Sequence, residues 1–350
     1  MEERQEQERP SFFGRLWRAI IGPLLLLFFS FLAVTGWVAQ YAFGPGPSLK
    51  EPSAVVRIPS GTAVREIGER LAGAGLVHVD LRFVLVTRIM GVGGRLPAGE
   101  FRLTSGQTPV DLLRELVRAR PLHHKVTIAE GLSAAEIATL LAADGWCESE
   151  RFMDLVRDAS FIRSLKITGA RTLEGYLYPD TYYLLRGGRD AEKLIRMMVA
   201  NFRKVYARLA SDYSGPFNRH ELVTLASIVE KETGTPGERP TIAGVFYNRL
   251  KRRMRLQSDP TVIYGINNFS GNLTRKDLKT PSPYNTYMIP ALPPGPICNP
   301  GRGALEAVFR PDRNRFLYFV SKNNGSHQFS KTLKEHNRAV VKYQKRRRGR

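Results

Sequence analysis

The chain has 350 residues and a mass of 39.4 kDa, room for two or three domains, and its 43% hydrophobic and 24% charged residues describe a globular protein rather than a disordered, collagenous or coiled-coil one. Two cysteines, Cys147 and Cys298, exclude a disulfide framework and a four-cysteine zinc or iron–sulfur centre. The net charge of +21 implies an anionic partner, and about half of the excess lies in residues 302–350, where 14 Lys and Arg stand against 3 Asp and Glu.

Residues 19–39 carry no charge and are long enough to cross a hydrocarbon core of about 30 Å as a helix. A transmembrane anchor is expected at 19–42; a cleaved signal peptide fits less well, since its apolar part would be about 7–15 residues long. Arg15 and Arg18 precede the span, and residues 40–49 hold no Lys or Arg. The positive-inside rule therefore keeps residues 1–18 in the cytoplasm and exports the rest, with Trp17 and Trp37 at the two interfaces. That topology removes nucleic acid as the partner of the basic surplus and leaves anionic lipid or cell-wall polymer. Residues 43–52, rich in Gly and Pro, read as a linker.

An internal repeat follows. Val56-Arg-Ile-Pro-Ser-Gly61 with Glu66-Ile67, Leu71-Ala72 and Gly75 recurs 70 residues on as Val126-Thr-Ile-Ala-Glu-Gly131 with Glu136-Ile137, Leu141-Ala142 and Gly145. Each copy predicts a strand, a glycine turn, a helix and a glycine stop. A further strand at 100–104 and a helix at 108–118 complete a small α+β module at 53–160, whose units resemble LysM peptidoglycan-binding repeats. His123 and His124 are expected in a loop. Beyond it, Thr172-Leu-Glu-Gly-Tyr-Leu-Tyr-Pro-Asp-Thr-Tyr182 packs aromatic rings around two acids.

Asn218, with Glu221 three positions later, predicts a capped helix start, and Gly234 and Pro236 predict its end. On a helical wheel Leu222, Leu225, Ala226 and Val229 share one face, Lys231 points away, and Glu230 and Glu232 border the apolar stripe on either side. Either glutamate could be a surface ion-pair partner. A carboxyl desolvated at such a border instead has its pKa raised toward the range of a general acid. Between turn signals downstream lie Asn248, Gln257, Asp259, Tyr264, Tyr284, Asn285 and Tyr287, amides, acids and rings of the kinds that line polysaccharide grooves, although ordered loops without a ligand have the same composition.

The run Ala226-Ser-Ile-Val-Glu-Lys-Glu-Thr233, with Asn248-Arg249-Leu250, Met254-Arg-Leu-Gln257, Asp259-Pro-Thr-Val-Ile-Tyr-Gly265, Tyr284-Asn-Thr-Tyr287, Leu292-Pro-Pro-Gly-Pro-Ile297 and Leu317-Tyr-Phe-Val320, closely resembles the YceG-like, MltG-type endolytic murein transglycosylases over nearly the whole chain. The resemblance implies an α+β protein: a transmembrane helix, a LysM-like module, a mixed α/β catalytic domain at 161–340 and a basic tail at 341–350. It implies a single-pass inner-membrane enzyme with a periplasmic catalytic domain. Such an enzyme cuts nascent glycan strands at the β-1,4 bond from N-acetylmuramic acid to N-acetylglucosamine, leaves 1,6-anhydro ends that terminate elongation, and works alongside elongation synthases without metal or cofactor.

The acid is expected on Glu232, because lytic transglycosylases carry it before a small hydroxyl residue, here Thr233; Glu230 is the reserve. Glu230, Asn248, Gln257, Asp259, Tyr264, Tyr284 and Asn285 are the expected substrate-binding residues. The chain has no GxSxG, Walker A or HExxH motif, and its six histidines have no metal spacing. A pyridoxal-phosphate lyase using Lys231, a label also attached to this family, would set a cytosolic activity behind a membrane anchor. A non-catalytic wall-binding scaffold for synthases is the alternative function.

Overall fold

The structure, a computed structural model, describes residues 20–186, 190–267 and 269–345. Arg15, Trp17 and Arg18, on which the expected orientation rests, lie outside the described residues, as does the basic run from 346 onward. The described residues divide into two compact units, the first ending at His124 and taking back a short stretch that begins at Leu184, the second built on Lys125–Tyr183 and the chain beyond. The division at Lys125 falls earlier than the module boundary expected at 160, so the two repeat copies belong to different units.

In the first unit, helix α1 (Gly22–Phe43) is a 22-residue apolar helix. At 1.5 Å per residue it extends about 33 Å, enough to span a hydrocarbon core. Its large side chains from Leu24 to Leu32 are exposed, whereas Tyr41 and Ala42 near its end are buried in the unit's core. The expected linker is tied down on both sides: Gly46 N–H donates to Gln107 O (3.0 Å) and Gly106 N–H to Pro47 O (3.1 Å). Strand β1 (Ser53–Ile58) pairs antiparallel with β2 (Gly99–Thr104), Val56 opposite Phe101. Between them run helices α2 (Val64–Gly73) and α3 (Arg82–Ile89), and α4 (Pro109–Arg118), capped by Thr108, follows. Val56, Ile58, Ile67, Leu71, Phe83, Phe101, Leu103 and Leu113 close one core.

The second unit begins on the same plan. Strand β3 (His123–Thr127) leads through a turn into α5 (Ala134–Ala143), α6 (Ser149–Arg157) and α7 (Ala159–Ser164). His123 and His124 thus start a strand, contrary to the loop expected, because the alternation that buries Val126 extends back through them. The repeat holds to the level of backbone angles: Gly61 and Gly131 have φ of +80° and +79°, Gly75 and Gly145 of +72° and +69°. After each second glycine the chain closes the helix in the same way, Leu76 N–H donating to Leu71 O (3.0 Å) and Trp146 N–H to Leu141 O (2.9 Å). Strand β4 (Thr181–Leu185) pairs with β3, and α8 (Ala191–Ala210) follows.

The rest of this unit packs around helix α9 (Arg219–Glu232), which adjoins α10 (Arg239–Lys251) and α12 (Arg302–Phe309), with the short α11 (Asp259–Tyr264) beside it. A hairpin of β5 (Tyr318–Ser321) and β6 (His327–Ser330) and helix α13 (Leu333–Val340) complete it. The aromatic segment at 172–182 is core: Tyr176, Leu177 and Tyr178 are buried. Gly175 has φ +85°, and a Cβ there would lie 2.5 Å from Pro296 Cγ and 2.8 Å from Val223 Cγ1. Gly175→Ala is therefore expected to destabilise the protein by at least about 1 kcal/mol, since it combines a left-handed backbone with backbone-anchored neighbours that cannot swing aside; a thermal midpoint equal to that of the parent would contradict this packing.

Candidate active site

Helix α9 starts where the sequence predicts. Asn218 accepts from Glu221 N–H (3.1 Å) and the Glu221 carboxylate accepts from Asn218 N–H (2.8 Å), a complete capping box. Its interior differs from the expected single apolar face: every residue from Leu222 to Val229 is buried. The polar members are satisfied locally, Thr224 Oγ1 donating to His220 O (2.8 Å) and Ser227 Oγ to Thr224 O (2.7 Å), so the helix can sit wholly inside the domain. It ends at Glu232, with Thr233 already extended at φ −142°, one residue before the glycine expected to stop it.

The two glutamates of this last turn have different surroundings. The Glu230 carboxylate pairs with Arg239 Nη2 at 2.7 Å and accepts from Gly301 N–H at 2.9 Å, with only 6% of its side chain exposed. Burial raises its pKa, and the Gly301 amide and Arg239 counter that rise. Glu230 is a structural ion pair that fixes the start of α12.

Glu232 faces a cleft of about 480 Å³ together with Arg249, Gln257, Asp259, Tyr287, Tyr318, His327 and His336. Burial pushes its pKa up to about 7, Asp259 adds to the rise, and Ser258 and Arg249 pull against it. Ser258 Oγ is itself buried, with no other hydrogen-bond partner among the described residues. The Arg249 guanidinium is occupied by backbone: Nε donates to Leu317 O (2.6 Å) and Nη1 to Leu256 O (2.7 Å), so it acts on Glu232 as a nearby charge rather than a clamp. Asp259 accepts from the Tyr287 hydroxyl at 2.6 Å. Gln257 reaches the cleft on a left-handed backbone (φ +51°), held by its N–H donating to Thr286 O at 3.1 Å.

Other expected residues lie elsewhere. Asn248 locks the 314–316 loop through three bonds from Nδ2 and borders a separate hollow. Asn285 is fully buried and ties together its own turn, Nδ2 reaching Thr280 O at 2.8 Å. Tyr264 and Tyr284 stack edge to face at 4.9 Å around a second buried carboxyl, Glu174. Tyr264 donates to Glu174 Oε2 (3.2 Å), Asn299 Nδ2 and Ala134 N–H donate to Oε1 (3.0 Å each), and burial pushes the Glu174 pKa up to about 7. Lys231 is exposed, its Nζ directed to Gly131 O (3.3 Å), and does not line the cleft.

Sequence reasoning missed the far wall. Leu333, His336, Val340 and Gln344 form a helical stripe on the C-terminal segment that lines the cleft, the last of them within the basic tail expected at 341–350. His327 Nδ1 lies 2.6 Å from Glu238 Oε2, and the His336 ring stacks on Tyr318 at 5.3 Å. The spacing of 333, 336 and 340 was the available signal, obscured by the surrounding basic residues.

A carboxyl more basic in the native than in the unfolded state holds its proton preferentially when folded, so the Glu232 contribution to stability falls as pH rises from about 4.5 to about 7 and is flat on either side. Glu232→Gln should remove this component, worth at most about 3 kcal/mol, and flatten the decline of thermal midpoint across that window; an unchanged decline would mean a solvated carboxyl. Glu230→Ala, by contrast, should destabilise at neutral pH by about 1–3 kcal/mol, because the Gly301 N–H loses its acceptor and Arg239 keeps only the longer 3.6 Å pair with Glu130, measurable by denaturant titration.

Comparison with known proteins bears on the same region. The model of the YceG-like family matches residues 56–342. The endolytic murein transglycosylase of Bacillus subtilis (strain 168) is 34% identical over 324 residues, 86% of this chain and 90% of that protein. The endolytic murein transglycosylase of Streptococcus pneumoniae serotype 2 is 31% identical over 353 residues, 91% of this chain and 64% of that protein. A crystal structure of a YceG-like protein from Listeria monocytogenes, 31% identical, superposes with a TM-score of 0.56 over 82% of this chain and 98% of that one.

Proposed function

The chain belongs to the YceG-like family, and from that membership we propose a lytic mechanism driven by one carboxyl, Glu232. The enzyme is a murein transglycosylase that cleaves peptidoglycan glycan strands. Protonated Glu232 donates its proton to the glycosidic oxygen as the bond to the muramoyl C1 breaks. The resulting carboxylate then removes the proton from the muramoyl O6 hydroxyl as that oxygen attacks C1, which closes the 1,6-anhydro ring and returns the proton to Glu232. No water is consumed, and no second acid is needed.

The observation that carries this reading is the poise of Glu232: cleft-facing, with no cation donating a hydrogen bond to it among the described residues, and with its pKa pushed up to about 7. At that value both protonation states are accessible, as a group that must give and take one proton within a cycle requires. Gln257, Asp259 and Tyr287 line the same cleft and are the groups we assign to orienting the sugars, with the Asp259 carboxylate placed to favour positive charge developing at C1. The β–turn–α units of the first part of the chain support glycan holding, the apolar α1 supports a membrane tether, and Arg15 and Arg18 ahead of it support a cleft on the peptidoglycan side. A tether of this kind lets the enzyme meet strands as synthases extend them.

Glu232→Gln is expected to lower turnover by at least about a hundredfold while leaving glycan binding intact. Mass spectrometry of cut strands reads the outcome: an anhydro end is one water lighter than a hydrolysed reducing end. Full activity in the variant would remove Glu232 from the mechanism, hydrolysed ends would replace the lytic step with glycosidase chemistry, and binding without cleavage by the parent protein would leave a wall-binding scaffold.

A further inference from the structure

Helix α3 shows two faces. Phe83 and Val86 are buried in the core of the first unit, while Leu81, Leu85 and Ile89, at successive intervals of four, are 68%, 40% and 76% exposed, and Val79 just before them is 78% exposed. Large aliphatic side chains in a row on a helix face are not a cost-free surface in water. The helix also has a fixed relation to α1. The two pack together, the Arg82 guanidinium sits 4.8 Å from the ring centres of both Trp37 and Tyr41, and Arg82 Nη1 donates to Trp37 O at 3.1 Å. Asp80 holds the other side of that guanidinium, Oδ2 accepting from Nε at 2.7 Å, and the Tyr41 hydroxyl donates to His78 O at 3.2 Å. This joint anchors the segment 78–89 to the last two turns of the apolar helix, where a Trp, a Tyr and an Arg together match a membrane–water interface.

We propose that α3 is an interfacial helix, inserting Leu81, Leu85 and Ile89 into the bilayer leaflet at the C-terminal end of α1. The inference rests on the reading of α1 as a membrane span. Continuity with that span identifies the occupant of the exposed face as lipid. Charge agrees: with Arg82 already paired to Asp80, Arg88 and Arg95 remain in a stretch, 81–95, that holds no Asp or Glu, a complement to anionic headgroups. The consequence is positional, because a helix lying in the interface fixes the tilt of the first unit against the membrane, where a single span would leave it free to swivel.

The test uses the full chain in vesicles containing anionic lipid, with nitroxides on Leu81→Cys, Leu85→Cys and Ile89→Cys, on Leu32→Cys as the span reference and on Lys193→Cys as the exposed reference; Cys147 and Cys298 are buried. Relaxation by oxygen, which concentrates in lipid, is compared with relaxation by a water-soluble nickel chelate. The ratio at the three α3 positions should be several-fold above that at Lys193→Cys and approach that at Leu32→Cys. A nitroxide on Val79→Cys should lose its lipid signature when Leu81, Leu85 and Ile89 are all changed to Ser, a combination that leaves Phe83 and Val86 in the core. Water-like ratios on α3 with a lipid-like Leu32→Cys would overturn the interfacial helix and keep the anchor. Protection from both reagents would mean that protein covers the face, which also overturns it. A water-like Leu32→Cys would remove the anchor and the proposal together.

Discussion

The catalytic argument depends on a carboxyl withdrawn from water without being given a salt bridge. Most buried acids in proteins are neutralised by a cation held at hydrogen-bond distance, which drives the pKa down and makes the group useless as a proton donor at neutral pH. At Glu232 the burial is present and, among the described residues, no cation clamps the carboxyl. Arg249, the cation that acts on Glu232 among the described residues, directs Nε and Nη1 to the carbonyls of Leu317, Leu256 and Arg255, so its field reaches the carboxyl while these hydrogen bonds do not. Burial is the largest influence and Asp259 adds to it, while Ser258 and Arg249 offset it only in part, so the pKa stays raised, at about 7.

That balance is built by the fold. Arg249 can be committed to backbone because α10 ends beside Leu317, just before β5, and beside the chain at 255–256, whose carbonyls accept from its guanidinium. Ser258 is presented by the same stretch, and the left-handed residue Gln257 turns the chain so that Thr286 can accept from Ser258 N–H at 2.9 Å. Thr261 and Thr286 then close a buried hydroxyl pair at 2.8 Å beneath the cleft floor. The dense polar sequence from 254 to 287 is therefore mostly scaffold, and only its outer members, Gln257, Asp259 and Tyr287, meet the cleft.

This explains what was legible in the sequence. Local signals were read correctly: the capping box at Asn218, the paired glycines of the repeat, the long apolar helix near the start and the strand at 100–104 each depend on neighbours a few residues apart. The polar residues at 248–285 were harder, because an amide that binds sugar and an amide that pins a loop are the same side chain. Asn285 spends its amide on three carbonyls within eight residues, and Asn248 on the 314–316 loop, choices fixed by tertiary packing. Glu174 went unassigned for the same reason: its partners Ala134, Tyr264 and Asn299 lie between 40 and 125 residues away.

The relation between Glu230 and Glu232 shows how helix geometry separates structural from catalytic work. At about 100° per residue, positions two apart point to opposite sides of the axis. One glutamate can therefore hold Arg239 and the Gly301 amide on one side of α9 while the other opens onto the cleft. The pairing on the first side has a consequence for the second. By tying the last turn of α9 to the starts of α10 and α12, it stops the helix end from fraying, and a frayed end would let water reach Glu232 and return its pKa toward that of an ordinary carboxyl. In the proposed mechanism Glu230 would then act without touching substrate, as the restraint that holds the end of α9 in place beside Glu232.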